Sequence, residues 1–305
     1  MTHNHSKALS RTDWLCALTV IVVWGLNFVV MKWGLQALSP LLLSALRFAL
    51  ASLPFLLFVR PPAKLSWAIL AAYGLAQGVG QFGLLFIALN LGMPAGMASV
   101  VLQTQAFFTL LLAAIALGEQ PQRWQWIGLW VAIAGLIVIA TANGDGAAQM
   151  SVIGFALTVG AAAMWAVSNL ITRLAARQGH YEPIPFLVWT SVFAVLPLLA
   201  LSAWLEGGMT SITQQIQQAG WQAWSAVAYL ALLSTLLGYG LWTRLLQRYP
   251  ISTVAPLSLL VPVLGLVSAM VLLGERPAGQ QWAGAAVVLL GMCVNQWGGV
   301  LIRRH

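Results

Sequence analysis

Charge is what this chain has least of. Only 7% of its 305 residues are Asp, Glu, Lys or Arg, against 60% that are hydrophobic, and the mean hydropathy is +0.87. A soluble domain carries about 25% charged residues, because its surface has to be solvated. The composition therefore excludes a water-facing exterior and points to lipid. Acids are scarcest, six Asp and Glu against fourteen Lys and Arg. No acid and none of the four His lies firmly inside an apolar run. Proton or sodium coupling commonly rests on a buried carboxylate, so the coupling ion is not legible. Cysteine is nearly absent. Cys16 and Cys293 sit in separate apolar runs without metal-ligand spacing, and neither a disulfide nor a metal site is expected. There is no Walker motif, no Gly-rich phosphate loop and no nucleophile–base pair. The expectation is a protein that is not an enzyme and holds no cofactor or metal.

Long apolar runs are abundant. A membrane-spanning helix needs about 20 mostly apolar residues. Ten such segments can be cut, at 13–33, 41–60, 66–90, 94–117, 123–142, 151–174, 184–204, 222–246, 251–273 and 279–301. The run after the polar start MTHNHSKALSRTD lacks a small-residue cleavage site and reads as a retained first helix. The one long connection, Glu206–Gly220, reads as a polar loop or surface helix. With a cytoplasmic N-terminus, Lys7, Arg11, Arg60, Lys64, Arg123, Arg173, Arg177, Arg244, Arg248, Arg303 and Arg304 all fall inside. Only Lys32 and Arg276 fall outside, and Arg47 lies within the second segment. This asymmetry places both termini in the cytoplasm. It also accounts for the net charge of +8 without a nucleic-acid partner.

The chain repeats itself at an offset of 156 residues. Residues 94–121 and 250–277 both begin at proline and end in Gly-Glu-X-Pro. Tyr73 falls on Tyr229, Gln125-Trp126 on Gln281-Trp282, and Gly128 and Gly135 on Gly284 and Gly291. In the first and sixth segments, Trp24 and Trp165 are each followed eight residues later by Lys32 and Arg173. Five spans per unit is an odd number, so the second unit enters the membrane upside down. The expected fold is an all-α integral membrane protein of ten transmembrane helices as two inverted five-helix repeats, 13–142 and 151–302, after a cytoplasmic tail 1–12. Such repeats place a shared site near the membrane midplane.

Polar residues inside the spans are the candidates for that site, because burying them is costly unless they face protein or water. Tyr73, Gln77 and Gln81 recur at i, i+4, i+8, and Thr235 and Tyr239 at i, i+4. Trp24 and Asn27, Gln103 and Gln105, Trp165 and Asn169, and Ser258 from the other spans complete twelve candidate solute-binding residues, with Ser99, Ser168 and Thr172 on the same helix faces. Together they describe a neutral cavity lined by amides and aromatics for a small polar solute. The competing reading is interhelical hydrogen bonding between close-packed helices. Pro250 stands at the start of the ninth segment, and Pro256 and Pro262 inside it free carbonyls and bend the helix as a gate or a static kink. Arg47 reads as a gate residue, a carboxylate-binding cation or an arginine that snorkels outward. Lys32 has similar readings at a helix end. Glu119 and Glu275 read as loop anchors or as a salt bridge that opens and closes.

WGLNFVVMKWGL at Trp24–Leu35, LRF at Leu46–Phe48, GMPAGMASVVLQTQAFF at Gly92–Phe108 and APLSLLVPVLGL at Ala255–Leu266 resemble the EamA family of the drug/metabolite transporter superfamily. The resemblance covers nearly the whole chain and is weaker around Arg173–Pro185. It implies an exporter in the bacterial inner membrane, working by alternating access on small amino-acid-like metabolites of the O-acetylserine and cysteine type. A small solute and the bilayer are the implied partners, with the protein a monomer or weak dimer. The same scaffold acting on purines, aromatic amino acids or drugs stays open, as does a membrane scaffold or sensor without transport.

Overall fold

The structure, a computed structural model, describes residues 9–142, 149–249 and 251–302. Most of the expected tail, Lys7, Pro250, Arg303 and Arg304 lie outside the described residues, as does the side chain of Pro256. All regular structure among the described residues is helical. The order is α1 (Arg11–Gly34), α2 (Pro40–Phe55), α3 (Trp67–Asn90), α4 (Ala95–Leu117), α5 (Arg123–Ala140), α6 (Val152–Gln178) and α7 (Pro183–Leu205). Then come α8 (Gly208–Gln218), α9 (Trp221–Arg248), α10 (Leu257–Leu273) and α11 (Gly279–Ile302). Helices α1, α3, α4, α5, α6, α7 and α9 are long and apolar enough to cross a membrane, while α2 and α10 are shorter apolar helices.

Local chemistry sets many of the ends. Ser10, Ser66 and Ser151 accept from backbone N–H groups three residues on, which satisfies donors at the starts of α1, α3 and α6. Proline opens α2 and α7, where its missing N–H costs nothing. Helices α4 and α10 end in the same way. Gly118 and Gly274 both adopt φ 67°, ψ 18°, and the following glutamate N–H reaches back to Ala113 O and Ala269 O. Only glycine takes that left-handed conformation without strain. The second span is shorter than the expected 41–60. It tightens at Leu53–Phe55 around Pro54, which cannot donate to the helix ladder, and stops. The polar connection after α7 forms the surface helix α8, which buries Ile212.

Three long helices are irregular near their middles, and so is the chain that enters α10. Helices α3 and α9 each carry a stretch of π-helical turns, Leu75–Gly83 and Tyr229–Gly238. Helix α4 tightens to a 3-10 turn at Leu102–Thr104, and the chain entering α10 does so at Ala255–Leu259. Helix α4 has Val100 and Ala106 where the ninth segment has Pro256 and Pro262, so its tightening does not require proline.

Helices α5 and α11 pack backbone to backbone. A Cβ added at Gly128 would lie 2.6 Å from Gly291 O, and one at Gly291 would lie 2.6 Å from Gly128 O. Gly135 and Gly284 oppose each other in the same way, at 2.8 and 2.9 Å. Leu38, Leu42, Leu85, Leu89, Met93 and Met97 are almost wholly buried in one core cluster. The exterior is apolar, with Phe58, Ile115, Leu196 and Trp204 exposed.

Candidate functional site

Between these helices lies a cavity of about 330 Å³. Of the twelve residues expected to bind solute, ten line it: Trp24, Asn27, Tyr73, Gln81, Gln103, Gln105, Trp165, Asn169, Tyr239 and Ser258. They arrive from α1, α3, α4, α6, α9 and α10. The lining extends to Tyr181, Pro183, Thr243 and Leu246, at the end of the bundle that carries Arg177 and Arg248. No described lining residue is acidic or basic.

The other two stand behind the wall. Gln77 donates to the Tyr239 hydroxyl at 2.8 Å and accepts from Ser168 Oγ at 2.5 Å. Thr235 accepts from Arg47 Nε at 3.0 Å and donates to Leu230 O at 2.8 Å. Several wall residues are also engaged with the protein. Asn169 donates to Gln105 Oε1 and Thr109 Oγ1, at 2.8 and 3.2 Å. Trp24 donates to Ser234 O at 3.1 Å, and its ring lies 4.9 Å from Tyr239 and 5.6 Å from Trp242. Pro262 cannot donate to Ser258 O, and Gln103 Nε2 approaches that carbonyl at 3.5 Å. The Pro262 carbonyl in turn accepts from Ser99 Oγ at 3.2 Å, which ties α4 to α10.

Two wall amides are different. Asn27 Oδ1 and Gln81 Oε1 are buried and have no hydrogen-bond partner within the protein. A buried unpaired acceptor costs about 1–3 kcal/mol, so these oxygens are groups that an incoming donor would satisfy. The spacing argument found both residues but could not separate them from Gln77, whose amide is fully used. It also passed over Ser234, Trp242, Tyr181 and Phe186, which line the cavity. Trp242 could have been found from its place one turn beyond Tyr239; the others carry no signal in a single sequence.

Arg47 overturns the snorkelling reading. It is 0% exposed, with its Cζ 3.7 Å from the centre of the Phe82 ring and 5.6 Å from that of Phe48. It reaches Ser234 Oγ at 3.4 Å, and one guanidinium nitrogen has no partner.

The expected gate residues divide between the two ends. At the end that carries Lys32, the Glu275 carboxylate accepts from Ala95 N at 2.6 Å and Gly96 N at 2.9 Å, capping the start of α4. Burial pushes this carboxyl up from its ordinary value, while the two amides and Lys32 pull it back. Lys32 donates to Leu89 O at 2.7 Å. At the other end, Glu119 pairs with Arg173 at 2.9 Å, and both are about half exposed. Glu206, which the sequence left in a loop, accepts from Leu41 N and Leu42 N at 2.8 and 3.3 Å and so caps α2.

A bundle with an apolar exterior and an uncharged polar cavity defines a membrane protein that handles small solutes. The model of the EamA-like transporter family matches residues 13–141 and 152–296. The chain is 45% identical to a Salmonella typhimurium protein named "Probable amino-acid metabolite efflux pump", over 95% of this chain and 96% of that one. It is 41% identical to a protein of the same name from Escherichia coli K12, with the same shares. A "Probable terminal-alkyne amino-acid exporter" from Streptantibioticus cattleyicolor is 31% identical over 94% of both chains. One solved crystal structure aligns with 96% of this chain and 98% of its own, at a TM-score of 0.57 and 21% identity, a likeness of fold alone. The chain belongs to the EamA-like transporter family.

Proposed function

We propose that this protein exports small amino-acid-like metabolites across the bacterial inner membrane by alternating access, with cysteine and O-acetylserine the first candidates. The observation that carries this reading is the cavity: about 330 Å³, uncharged, and walled by the orphan oxygens of Asn27 and Gln81. Its size falls at the small end of ligand pockets, which run from about 300 to 1,000 Å³. The named substrates of the relatives support the solute class. Trp24, Tyr239 and Trp242 form an aromatic cluster that favours a second reading, export of aromatic solutes. The uncharged lining disfavours drug cations.

The architecture we propose is ten membrane spans in two inverted units, α1–α5 and α6, α7, α9, α10 and α11, with both termini cytoplasmic. Contacts between α5 and α11 support it. Gly128 meets Gly291 and Gly135 meets Gly284; shifting either pair by the 156-residue offset returns the other, as a two-fold axis requires. The helix starts match as well: Gln122 N donates to Gln125 Oε1 at 2.7 Å, and Ala278 N to Gln281 Oε1 at 2.9 Å.

In this reading the cavity opens to the cytoplasm and the outer end is shut. Glu275 latches α4 there. Its repeat partner Glu119 is held off by Arg173, itself the partner of Lys32. In the opposite state the roles exchange, and Glu119 caps the chain start at 251–252 that corresponds to Ala95–Gly96. The test is a variant lacking Cys16 and Cys293 and carrying Thr243→Cys at the cavity mouth. A membrane-impermeant maleimide should label it from the cytoplasmic face, and O-acetylserine, which has no thiol to consume the reagent, should slow the labelling. Labelling only from the outer face, or no protection by any amino acid, would overturn the proposal.

A further inference from the structure

We infer that Arg47, set behind the cavity wall, makes the site select solutes that carry a carboxylate, with Ser234 as the group that presents its charge. The inference rests on the export reading above and specifies which end of the solute the protein reads.

A guanidinium is always protonated, and burying one without an anion is costly. Arg47 is wholly buried, is in no ion pair among the described residues, and leaves one nitrogen unbonded. Its packing on Phe82 and its bonds to hydroxyls hold it but leave its charge unneutralised. Both Phe82 and Ser234 line the cavity, so the charge lies one side chain behind the wall.

Hydrogen-bond directions turn that charge inward. Thr235 has its proton on Leu230 O, so it can only accept from Arg47, and this fixes the guanidinium. Ser234 accepts from Arg47 Nη2, which leaves its own proton free for the cavity. Its carbonyl takes the Trp24 indole, which fixes the backbone that carries it. A hydroxyl polarised by a guanidinium and facing an uncharged cavity is a donor suited to an anionic oxygen. Asn27 and Gln81 offer the opposite, acceptor oxygens suited to an ammonium group. The wall as a whole matches a zwitterion.

The test is binding to the purified full chain, read by calorimetry or thermal shift, with L-serine and its carboxamide L-serinamide as probes. At about pH 6, well below the ordinary α-amino pKa of about 7.7–8.0, both carry the ammonium and only serine carries the carboxylate. The wild type should prefer serine by about tenfold or more, since a site built around one polar group rejects analogues lacking it. Arg47→Gln should lower that preference about tenfold by weakening serine alone, and Arg47→Lys should restore part of it. A merely structural arginine would weaken both probes equally, and that result would overturn the inference, as would a wild type without preference. Should Arg47→Gln fail to fold, Ser234→Ala leaves the guanidinium in place. It should reduce the preference several-fold, and an unchanged ratio there overturns the inference too. Selective binding without transport would instead sink the export reading and leave this one standing.

Discussion

At the scale of single residues, Gln77 and Gln81 sit one turn apart and do different work. Gln77 has both ends of its amide on protein partners, Tyr239 and Ser168. Gln81 keeps a buried oxygen with none. Removing a satisfied buried amide strands its partners, so Gln77→Leu should lower stability by about 1–3 kcal/mol, seen as a reduced Tm in detergent. Gln81→Leu removes an unsatisfied group and should leave Tm near the wild-type value while raising the KM for an amino-acid solute roughly tenfold. The reverse pattern would mean that the two roles had been exchanged. Period and polarity found both glutamines in the sequence. Their division did not follow from either, because it depends on Tyr239 and Ser168, which are 162 and 91 residues away in the chain. The snorkelling reading of Arg47 failed for the same reason: an arginine near a helix end snorkels by default, and only the approach of α3 and α9 encloses it.

At the scale of elements, the Gly-Glu ends of α4 and α10 were visible as a repeat, since glycine is needed for the left-handed cap at each. What the two glutamates do was not visible, because the two ends place the same Gly-Glu pair in different surroundings, backbone N–H groups at Glu275 and Arg173 at Glu119. Glu275→Gln replaces a carboxylate taking two backbone N–H bonds with an amide that can accept with one atom only. Charge-assisted bonds of this kind contribute about 1.5–3 kcal/mol, so the outer end should open more often. A cysteine at Val261, in the cavity wall, should then be labelled from the outer face at least several-fold faster, and an unchanged rate would show that Glu275 is no latch. The irregular turns in α3, α4 and α9 had no sequence signal; they arise where helices meet the cavity, and no proline or glycine rule requires them. The α5–α11 contact was half legible. The repeated glycines marked it, but not which glycine meets which. Gly128→Leu would drive a side chain into the backbone of α11 and should cost at least 1–3 kcal/mol, measured as lost Tm or lost folded yield. Tolerance of leucine there would contradict the close approach.

At the scale of the whole molecule, lipid does most of the specifying. Scarce charge and long apolar runs dictate a helical bundle, and the Lys and Arg asymmetry proposes its orientation. The cavity was anticipated from the set of converging polar residues, and ten of twelve line it. In the alternating-access cycle we propose, one chain fits both an inward-open and an outward-open arrangement, so the resting state was beyond the sequence. In the reading we propose, the Lys32 and Glu275 contacts at one end and the exposed Glu119–Arg173 pair at the other give the direction, a cavity loaded from the cytoplasm. The central claim of that reading, that this cavity carries small amino acids across the bilayer, is tested most directly by counterflow. Proteoliposomes holding the purified chain and preloaded with unlabelled cysteine, O-acetylserine or serine should take up labelled serine faster than unloaded ones, and Gln81→Leu should slow that exchange. Uptake no faster than in protein-free liposomes, for every amino acid tried, would contradict it.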